Sequence, residues 1–200
     1  MASHRSAFKE LNQMPAKLKE DVECWHHLIT NGNKQLASYA KTYNLILMHQ
    51  NELYCGDRKT TRRIQGSIDH LLVRVDKNIF ILKHILEALR LTRDRIEYMW
   101  QRVRIWNDDA HLKNYRITQK LNTSKLHNLL LFLHKRYEYE WEVKEMVVLG
   151  LDDDNVEYDV EILLAAWKTN RHAGGFEFNE KLKEFYSSIG QRRPKFCKVK

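Results

Sequence analysis

Two short clusters contain residue types that can bind a metal ion. Cys24, His26 and His27 offer the soft ligands of a zinc site, and Asp152 to Asp154 offer carboxylate oxygens, which Mg²⁺ and Ca²⁺ prefer. Zinc needs four ligands, usually as two spaced pairs, and no second pair stands at a suitable spacing. His26 and His27 also point about 100° apart on a helix. We therefore expect no metal ion in this chain.

The three consecutive aspartates, Asp152 to Asp154, fit a structural role better. An EF-hand needs carboxylates at alternate positions and a central glycine, which are missing here. Acidic residues that precede a helix are stabilised by its dipole, and that role uses all three. The sequence also lacks the glycine-rich phosphate-binding motifs and the nucleophile motif of hydrolases. We therefore expect no catalytic residues, no enzymatic activity and no cofactor.

Positive charge is the third chemical feature of the chain, whose formal net charge is +8. The basic patches comprise Arg58, Lys59, Arg62 and Arg63, and then Arg192, Arg193 and Lys195. Phosphate binding needs such charge, so a basic helical nucleic-acid-binding protein is the alternative function. The second patch could equally serve nuclear import.

The composition favours long helices in a reducing compartment. The only two prolines, Pro15 and Pro194, lie near the two ends, and proline is the strongest helix breaker. Three scattered cysteines do not make a disulfide framework. No apolar run approaches the roughly 20 residues that cross a bilayer, and the N-terminus lacks the apolar stretch of a secretory signal. We expect a soluble protein without membrane contact.

A ladder of apolar residues near the N-terminus is the clearest structural signal. Its members alternate at spacings of three and four, a heptad pattern, and they are Val22, Trp25, Ile29, Gly32, Leu36, Tyr39, Tyr43 and Ile46. Such a pattern predicts a long helix, from about Ala16 to Tyr54, lying along another helix. Gly32 stands on the ladder itself, which indicates either the close approach of another helix or a kink.

Residues 58–63 are predicted to be a short basic connection, and a second long helix is predicted to follow it, to about Trp106. Its ladder is Ile64, Ile68, Leu71, Val75, Ile79, Leu82, Leu86, Leu89, Arg93, Ile96, Trp100 and Val103. Two consecutive steps of four flank Val75 and resemble a stutter, which unwinds a coiled coil locally. Because the connection is short, the two helices should pair antiparallel. Whether this hairpin closes within the chain or between chains stays open.

The sequence thus predicts an all-α fold, an elongated antiparallel helical hairpin or coiled coil followed by a small C-terminal helical bundle. We divide the chain into an N-terminal tail (1–15), the hairpin (16–106), a linker (107–123), C-terminal helices (124–190) and a basic tail (191–200). Thr123 or Ser124 is the expected cap of the third helix, which should stop at Gly150.

The ladder and the aromatic residues supply the candidate partner-binding residues. They are Trp25, Ile29, Leu36, Tyr39, Tyr43, Ile46, Tyr137, Glu140, Trp141, Lys144 and Trp167. Glu140 and Lys144 have the favourable i,i+4 orientation, and tyrosine and tryptophan can anchor a partner. Packing within the chain is the alternative for all of them. Trp106, beside polar residues, is the best candidate for an exposed tryptophan.

Two patches resemble the cyclin-dependent kinase two interacting protein family. Residues 25–29, Trp-His-His-Leu-Ile, are similar to that family's Trp-His-Asn-Leu-Ile at the head of its first helix. The second patch has the family spacing Tyr-x-x-Glu-x-x-x-Lys-x-x-Val and comprises Tyr137, Glu140, Lys144 and Val147, followed by Leu163, Leu164 and Trp167. Together they cover about a quarter of the chain. His27 replaces the family's asparagine, and the basic tail has no counterpart there.

The resemblance implies a small helical adaptor protein of the nucleus, with the cytoplasm as a second location left open. It implies links to cell-cycle control, DNA replication and the DNA damage response, with a cyclin-dependent kinase or cyclin as a partner. It also implies a hetero-oligomer built on AAA-type ATPase subunits, with a second helical protein of similar layout. That assembly acts in ribosome maturation. The function expected is therefore that of a non-enzymatic adaptor subunit.

The basic tail gives a first test. Residues 191–200 cannot bury enough apolar surface to fold alone, so we expect them to act through charge, in nuclear entry or in docking on an acidic surface. Deleting them should leave the thermal midpoint within about two degrees and reduce nuclear localisation or partner binding. A large loss of stability would show that Phe196 and Val199 pack into the body. Unchanged localisation and unchanged binding would remove the assigned role.

Overall fold

The structure, a computed structural model, describes residues 2–54, 58–152 and 160–191. It contains the helices α1 (Ala2–Leu53), α2 (Arg58–Asp108), α3 (Thr123–Asp152), α4 (Val160–Thr169) and α5 (Gly175–Ser188). Over these ranges the only strand-like feature is an isolated bridge between Arg116 and Asn122. The predicted all-α class is confirmed.

The described residues form two compact units that do not follow chain order. Unit 1 contains residues 2–27, 88–143 and 169–191. Unit 2 contains residues 28–54, 58–87, 144–152 and 160–168. Each unit therefore includes parts of α1, α2 and α3.

In unit 1, α1 and α2 pair antiparallel within one chain. The Arg102 guanidinium lies 3.0 Å from the Glu10 carboxylate, and the Arg95 guanidinium lies 2.6 Å from the Asp21 carboxylate. The residue number rises along α1 while it falls along α2, as a hairpin requires. The question left open by the sequence is thus answered in favour of closure within the chain.

The two long helices are also neighbours in unit 2. Leu45 and His49 of α1 line a cleft of about 380 Å³ together with Gly66 and His70 of α2. The predicted packing of α1 on α2 is therefore found in both units.

The buried face of α2 is an uninterrupted heptad ladder. Its members are Ile64, Ile68, Leu71, Val75, Asn78, Leu82, Ile85, Leu89, Thr92, Ile96, Met99, Val103 and Trp106. The predicted stutter at Val75 is wrong, because Asn78 and Thr92 occupy ladder positions that their polarity concealed. Ile79 and its heptad equivalents, Leu86, Arg93 and Trp100, are half-buried beside the ladder. The assignment of Trp106 as an exposed tryptophan is also wrong, because it closes this ladder at 7% exposure.

Helix α1 begins at Ala2, well before the predicted start at Ala16. Upstream of Pro15 the ladder continues through buried side chains at alternating spacings, namely Ala7, Leu11 and Met14. Pro15 removes one helical hydrogen bond, but apolar burial on both sides of it keeps the helix continuous. Further along, Thr42 takes the buried place predicted for Tyr43, and its hydroxyl donates to the Ser38 carbonyl at 2.9 Å.

The connection between α2 and α3 is the predicted loop, shortened by two residues at its start. The predicted cap is wrong, because α3 already begins at Thr123 and the cap is Asn122, whose side-chain oxygen accepts the Lys125 N–H at 2.9 Å. Helix α3 also continues past Gly150 to Asp152. Asp153 and Asp154, with the capping role assigned to them, lie outside the described residues.

Gly32 marks a close approach in unit 2, which confirms one of the two explanations predicted for it. A Cβ atom at this position would lie 2.1 Å from Cζ2 of Trp167, a fully buried side chain of α4. The Trp167 indole N–H donates to the Ile29 carbonyl at 3.4 Å, which holds the ring over the glycine. Only a residue without a side chain can stand here unless the indole moves.

Gly32 and Gly66, two helical glycines of unit 2, therefore have opposite predicted responses to alanine. Gly32→Ala should destabilise the fold by about 1–3 kcal/mol, because overpacking against the buried Trp167 ring outweighs the better helix propensity. Gly66→Ala is the control: no atom lies within 4 Å of its added Cβ, and it should stabilise by up to about 1 kcal/mol. Urea unfolding of both variants measures the difference. Equal stabilisation by both changes would contradict the close approach.

Candidate partner-binding surfaces

Most of the predicted partner-binding residues are buried in this chain. Those at 6% exposure or less are Trp25, Ile29, Leu36, Tyr39, Ile46, Tyr137, Glu140, Lys144 and Trp167. Tyr43 and Trp141 are half-buried. Their direct contact with a partner stays a prediction, and the structure places them in the interior or at its edge.

In unit 1 the two family-like patches meet. The Trp25 indole stacks on the Tyr137 ring with centroids 4.1 Å apart and planes at 17°. Phe178 of α5 lies against the same tyrosine at 5.8 Å. These aromatic contacts join α1, α3 and α5, which explains why a tryptophan and a tyrosine stand at these positions.

Glu140 of α3 holds the loop between α4 and α5. Its carboxylate accepts the backbone N–H groups of His172 at 2.7 Å and Ala173 at 3.0 Å. Hydrogen bonds to an ionised acceptor are stronger than neutral ones, and this acceptor is fully buried. Within unit 1, Glu140 therefore shapes the segment that leads into α5.

Lys144 performs the matching task in unit 2. Its ammonium donates to the Trp167 carbonyl at 2.7 Å and lies 5.5 Å from the centroid of the same residue's ring. These groups belong to the last turn of α4, where a positive charge is favourable. Glu140 and Lys144 are thus structural residues of the C-terminal segment, a role that only the tertiary contacts reveal.

Part of the outer face of α2 is apolar and exposed in unit 1. Leu91, Tyr98 and Ile105 are 46%, 60% and 63% exposed. They are spaced seven residues apart, so they share one stripe of the helix, which we call the α2 seam. The spacing of seven residues is present in the sequence, but the longer buried ladder of the same helix is the stronger apolar pattern.

Unit 2 also exposes apolar side chains of α2, in a shorter stripe. Val73 and Phe80 are exposed and seven residues apart, and the exposed Leu72 is adjacent to Val73 and points in a different direction. They make a matched set of similar size and exposure on the same helix.

A groove between α3 and α5 is a concave feature of unit 1 that bears on binding. Its volume is about 480 Å³. Its apolar lining is provided by Leu121, Leu129, Phe132 and Phe185, and its rim by Lys120, Lys125, Lys181 and Glu184. We call it the α3–α5 groove. No local pattern in the sequence indicates this groove, because its walls come from segments about 60 residues apart in the chain.

The predicted basic patches are only partly described. The prediction of residues 58–63 as a connection is wrong, because α2 already begins at Arg58. Arg62 and Arg63 are exposed in the first turns of this helix, which also contain Lys59. Arg192, Arg193 and Lys195 lie outside the described residues. Their role as a patch stays a prediction.

The residues considered as metal ligands have other contacts. Cys24 Sγ lies 3.9 Å from the Thr92 hydroxyl, and His26 Nδ1 lies 2.8 Å from the Val22 carbonyl oxygen. Across the described ranges, no three histidine, cysteine or acidic side chains gather at one point as a metal site requires. None of the helices in these ranges is long and apolar enough to span a membrane.

Comparison with known proteins adds no family assignment. No model of a protein family matches the chain, and no curated protein matches it. The resemblance of residues 25–29 and of the Tyr137 patch therefore stays a prediction based on those residues alone.

Asp21 is a buried acid within unit 1. Burial raises the pKa of its carboxyl above the ordinary 3.8, and the hydrogen bond from Arg95 opposes that rise. Asp109 differs, because the backbone N–H of His111 lowers the pKa of its exposed carboxyl. The two groups should therefore change stability with pH in opposite directions.

Asparagine at these positions tests the pKa directions. A raised pKa means that the folded state binds the proton more tightly, so the Asp21 contribution is fully present below pH 3.8 and is lost as the pH rises through the folded pKa. The free energy of unfolding of Asp21→Asn, measured relative to that of the unmodified chain, should thus be higher at about pH 7 than at about pH 3. Asp109→Asn should show the reverse, since a lowered pKa stabilises at the higher pH. Urea unfolding at both pH values measures this, and the same trend for both variants would contradict it.

Proposed function

We propose that the chain is a non-enzymatic helical adaptor, a subunit of a nuclear hetero-oligomer. The observation that carries the proposal is the α2 seam. Large apolar side chains at three successive heptad positions stand exposed on a helix whose opposite face is already buried. A partner helix covers such a stripe efficiently, because only a helix lying along α2 meets a side chain every seven residues.

The charges beside the seam favour a protein partner. Arg95 and Arg102 flank it on the side towards α1, and both are held by acids of that helix, Asp21 and Glu10. The seam therefore offers apolar surface about 21 Å long between charges that are already paired. This arrangement suits a hydrophobic helix interface better than a phosphate backbone.

The family resemblance supports the biological setting of the proposal. It favours cell-cycle control, DNA replication and the DNA damage response as the processes. It also favours a cyclin-dependent kinase or cyclin and the AAA-type ATPase subunits of a ribosome-maturation assembly as partners. The partner that supplies the helix would be the second small helical subunit.

Nucleic-acid binding is the second candidate function. Its support is the net charge of +8 and the exposed Arg62 and Arg63. Salt separates the two functions, because binding to phosphates weakens steeply as salt rises and a hydrophobic helix interface does not.

Polar substitution of the seam tests the adaptor function. Leu36 and Ile46 of the buried ladder are unsuitable targets, because a charge there would disrupt the hairpin itself. Leu91→Gln, Tyr98→Gln and Ile105→Gln in one chain should reduce recovery of the partner at least about tenfold, since central apolar anchors carry most interface energy. Glutamine is a good helix former, so the thermal midpoint should change little. Affinity purification of the tagged chain with mass spectrometry, at low and high salt, measures recovery.

The matched control carries the same change on the same helix in unit 2, at Leu72, Val73 and Phe80. It should retain the partner recovered with the unmodified chain. Full retention by the folded seam variant would contradict the proposal. Loss of all partners at high salt, together with recovery of nucleic acid at low salt, would favour the second function instead.

A further inference from the structure

We propose that the α3–α5 groove of unit 1 binds an acidic, amphipathic segment of a partner protein. This inference goes beyond the proposed function, because it concerns a second surface and a different kind of partner segment. It rests on the shape of the groove, its apolar lining and the charge of its rim.

The groove can take apolar side chains. Its volume of about 480 Å³ lies within the range of about 300–1,000 Å³ typical of sites that bury apolar ligands. Leu121, Leu129 and Phe185 present the floor, and the half-buried Phe132 ring forms part of one wall. An occupant would therefore need large apolar anchors on the side that faces the chain.

The groove continues at both ends, which favours a polypeptide segment over a small molecule. At one end a polar cleft of about 460 Å³ shares Lys120 and Lys125 with it. At the other end a cleft of about 360 Å³ shares Phe132 and reaches Tyr139. From Lys125 to Tyr139 the α3 helix rises about 21 Å, the length of roughly four helical turns.

The charge around this path is mainly positive. Its two lining acids are already neutralised, since Glu184 pairs with Lys181 at 3.3 Å and Glu177 pairs with Arg136. The remaining cations along the path form no ion pair with any described residue, and they are Arg116, Lys120, Lys125 and Lys135. Carboxylates of an occupant would meet this unbalanced charge, which favours an acidic segment over a neutral or basic one.

The position of the apolar surface distinguishes a peptide from other anionic partners. A membrane surface is bound by apolar side chains that protrude into the lipid, whereas here they line the bottom of a groove. A nucleic acid needs an open track of cations, whereas the lysines here border an apolar floor. A helix with apolar residues on one face and acids on its flanks would contact the apolar floor with that face and the cationic rim with its acids.

Selection from a random peptide library tests the proposal with an unbiased set of sequences. The full chain is immobilised, and phage displaying random peptides of about 16 residues are selected on it, a length that matches the groove. We expect enriched peptides to combine leucine or aromatic residues at helical spacing with an excess of aspartate and glutamate. No enrichment, or enrichment of neutral or basic peptides, would overturn the proposal.

Charge reversal then locates the site. The most enriched peptide, made synthetically with a fluorescent label, is titrated by anisotropy against the unmodified chain and against Lys120→Glu with Lys125→Glu. Both lysines are exposed, so the fold should persist while affinity falls at least about tenfold. The control, Arg62→Glu with Arg63→Glu, makes the same charge change in unit 2 and should keep the affinity within about twofold. Equal losses in both variants would show nonspecific attraction and contradict the site.

Two further measurements decide the class of the partner. Phe132→Gln removes an apolar wall without changing charge and should also weaken the peptide, with circular dichroism to verify that the variant is folded. A duplex DNA of about 20 base pairs and vesicles containing phosphatidylserine are titrated in the same way. The proposal is wrong if the DNA or the vesicles bind the unmodified chain more tightly than the peptide does and bind the Lys120→Glu, Lys125→Glu variant weakly. The groove would then recognise that DNA or lipid.

Discussion

The heptad ladder of α2 is the constraint on which the rest of the structure depends. A helix of this length gains little from propensity alone and needs an apolar stripe covered along its whole course. From Ile64 to Trp106, every ladder position of α2 is buried. This register determines which residues of α2 remain outside. Leu91, Tyr98 and Ile105 are exposed because they stand on the outer side of α2, away from its buried ladder.

The C-terminal segment is attached both by buried apolar side chains and by a few buried polar contacts. In α5 the buried side chains are Phe178, Leu182, Phe185 and Tyr186. Glu140 binds the loop before α5 in unit 1, and Lys144 binds the end of α4 in unit 2. A buried charge is costly unless it finds partners, and backbone groups of these two segments are the partners here. Gly32 adds the steric counterpart, since its missing side chain makes room for Trp167. Glu140, Lys144 and Trp167 thus have clear structural roles within this chain.

The binding that we propose uses surfaces that the interior leaves exposed. In unit 1 these are the α2 seam, which is apolar, and the α3–α5 groove, which is apolar below and positive at its rim. The two differ in chemistry, because the arginines beside the seam are paired with acids of α1 whereas Lys120 and Lys125 of the groove have no acidic partner among the described residues. The two proposals therefore assign the partner helix and the acidic segment to separate interactions.

The sequence by itself determined the helical class, the long antiparallel pair and most of the α1 ladder, because apolar spacing follows directly from helix geometry. It could not place Asn78 and Thr92 on the α2 ladder, since burial of a polar side chain depends on its surroundings. The start of α1 was missed because Pro15 breaks most helices, and only packing on both sides keeps this one continuous. Trp106 stands three residues after Val103, as the ladder spacing requires, but its polar neighbours concealed its burial. The α3–α5 groove was decided by the tertiary structure alone, because its walls are residues far apart in the chain and no local spacing encodes their meeting.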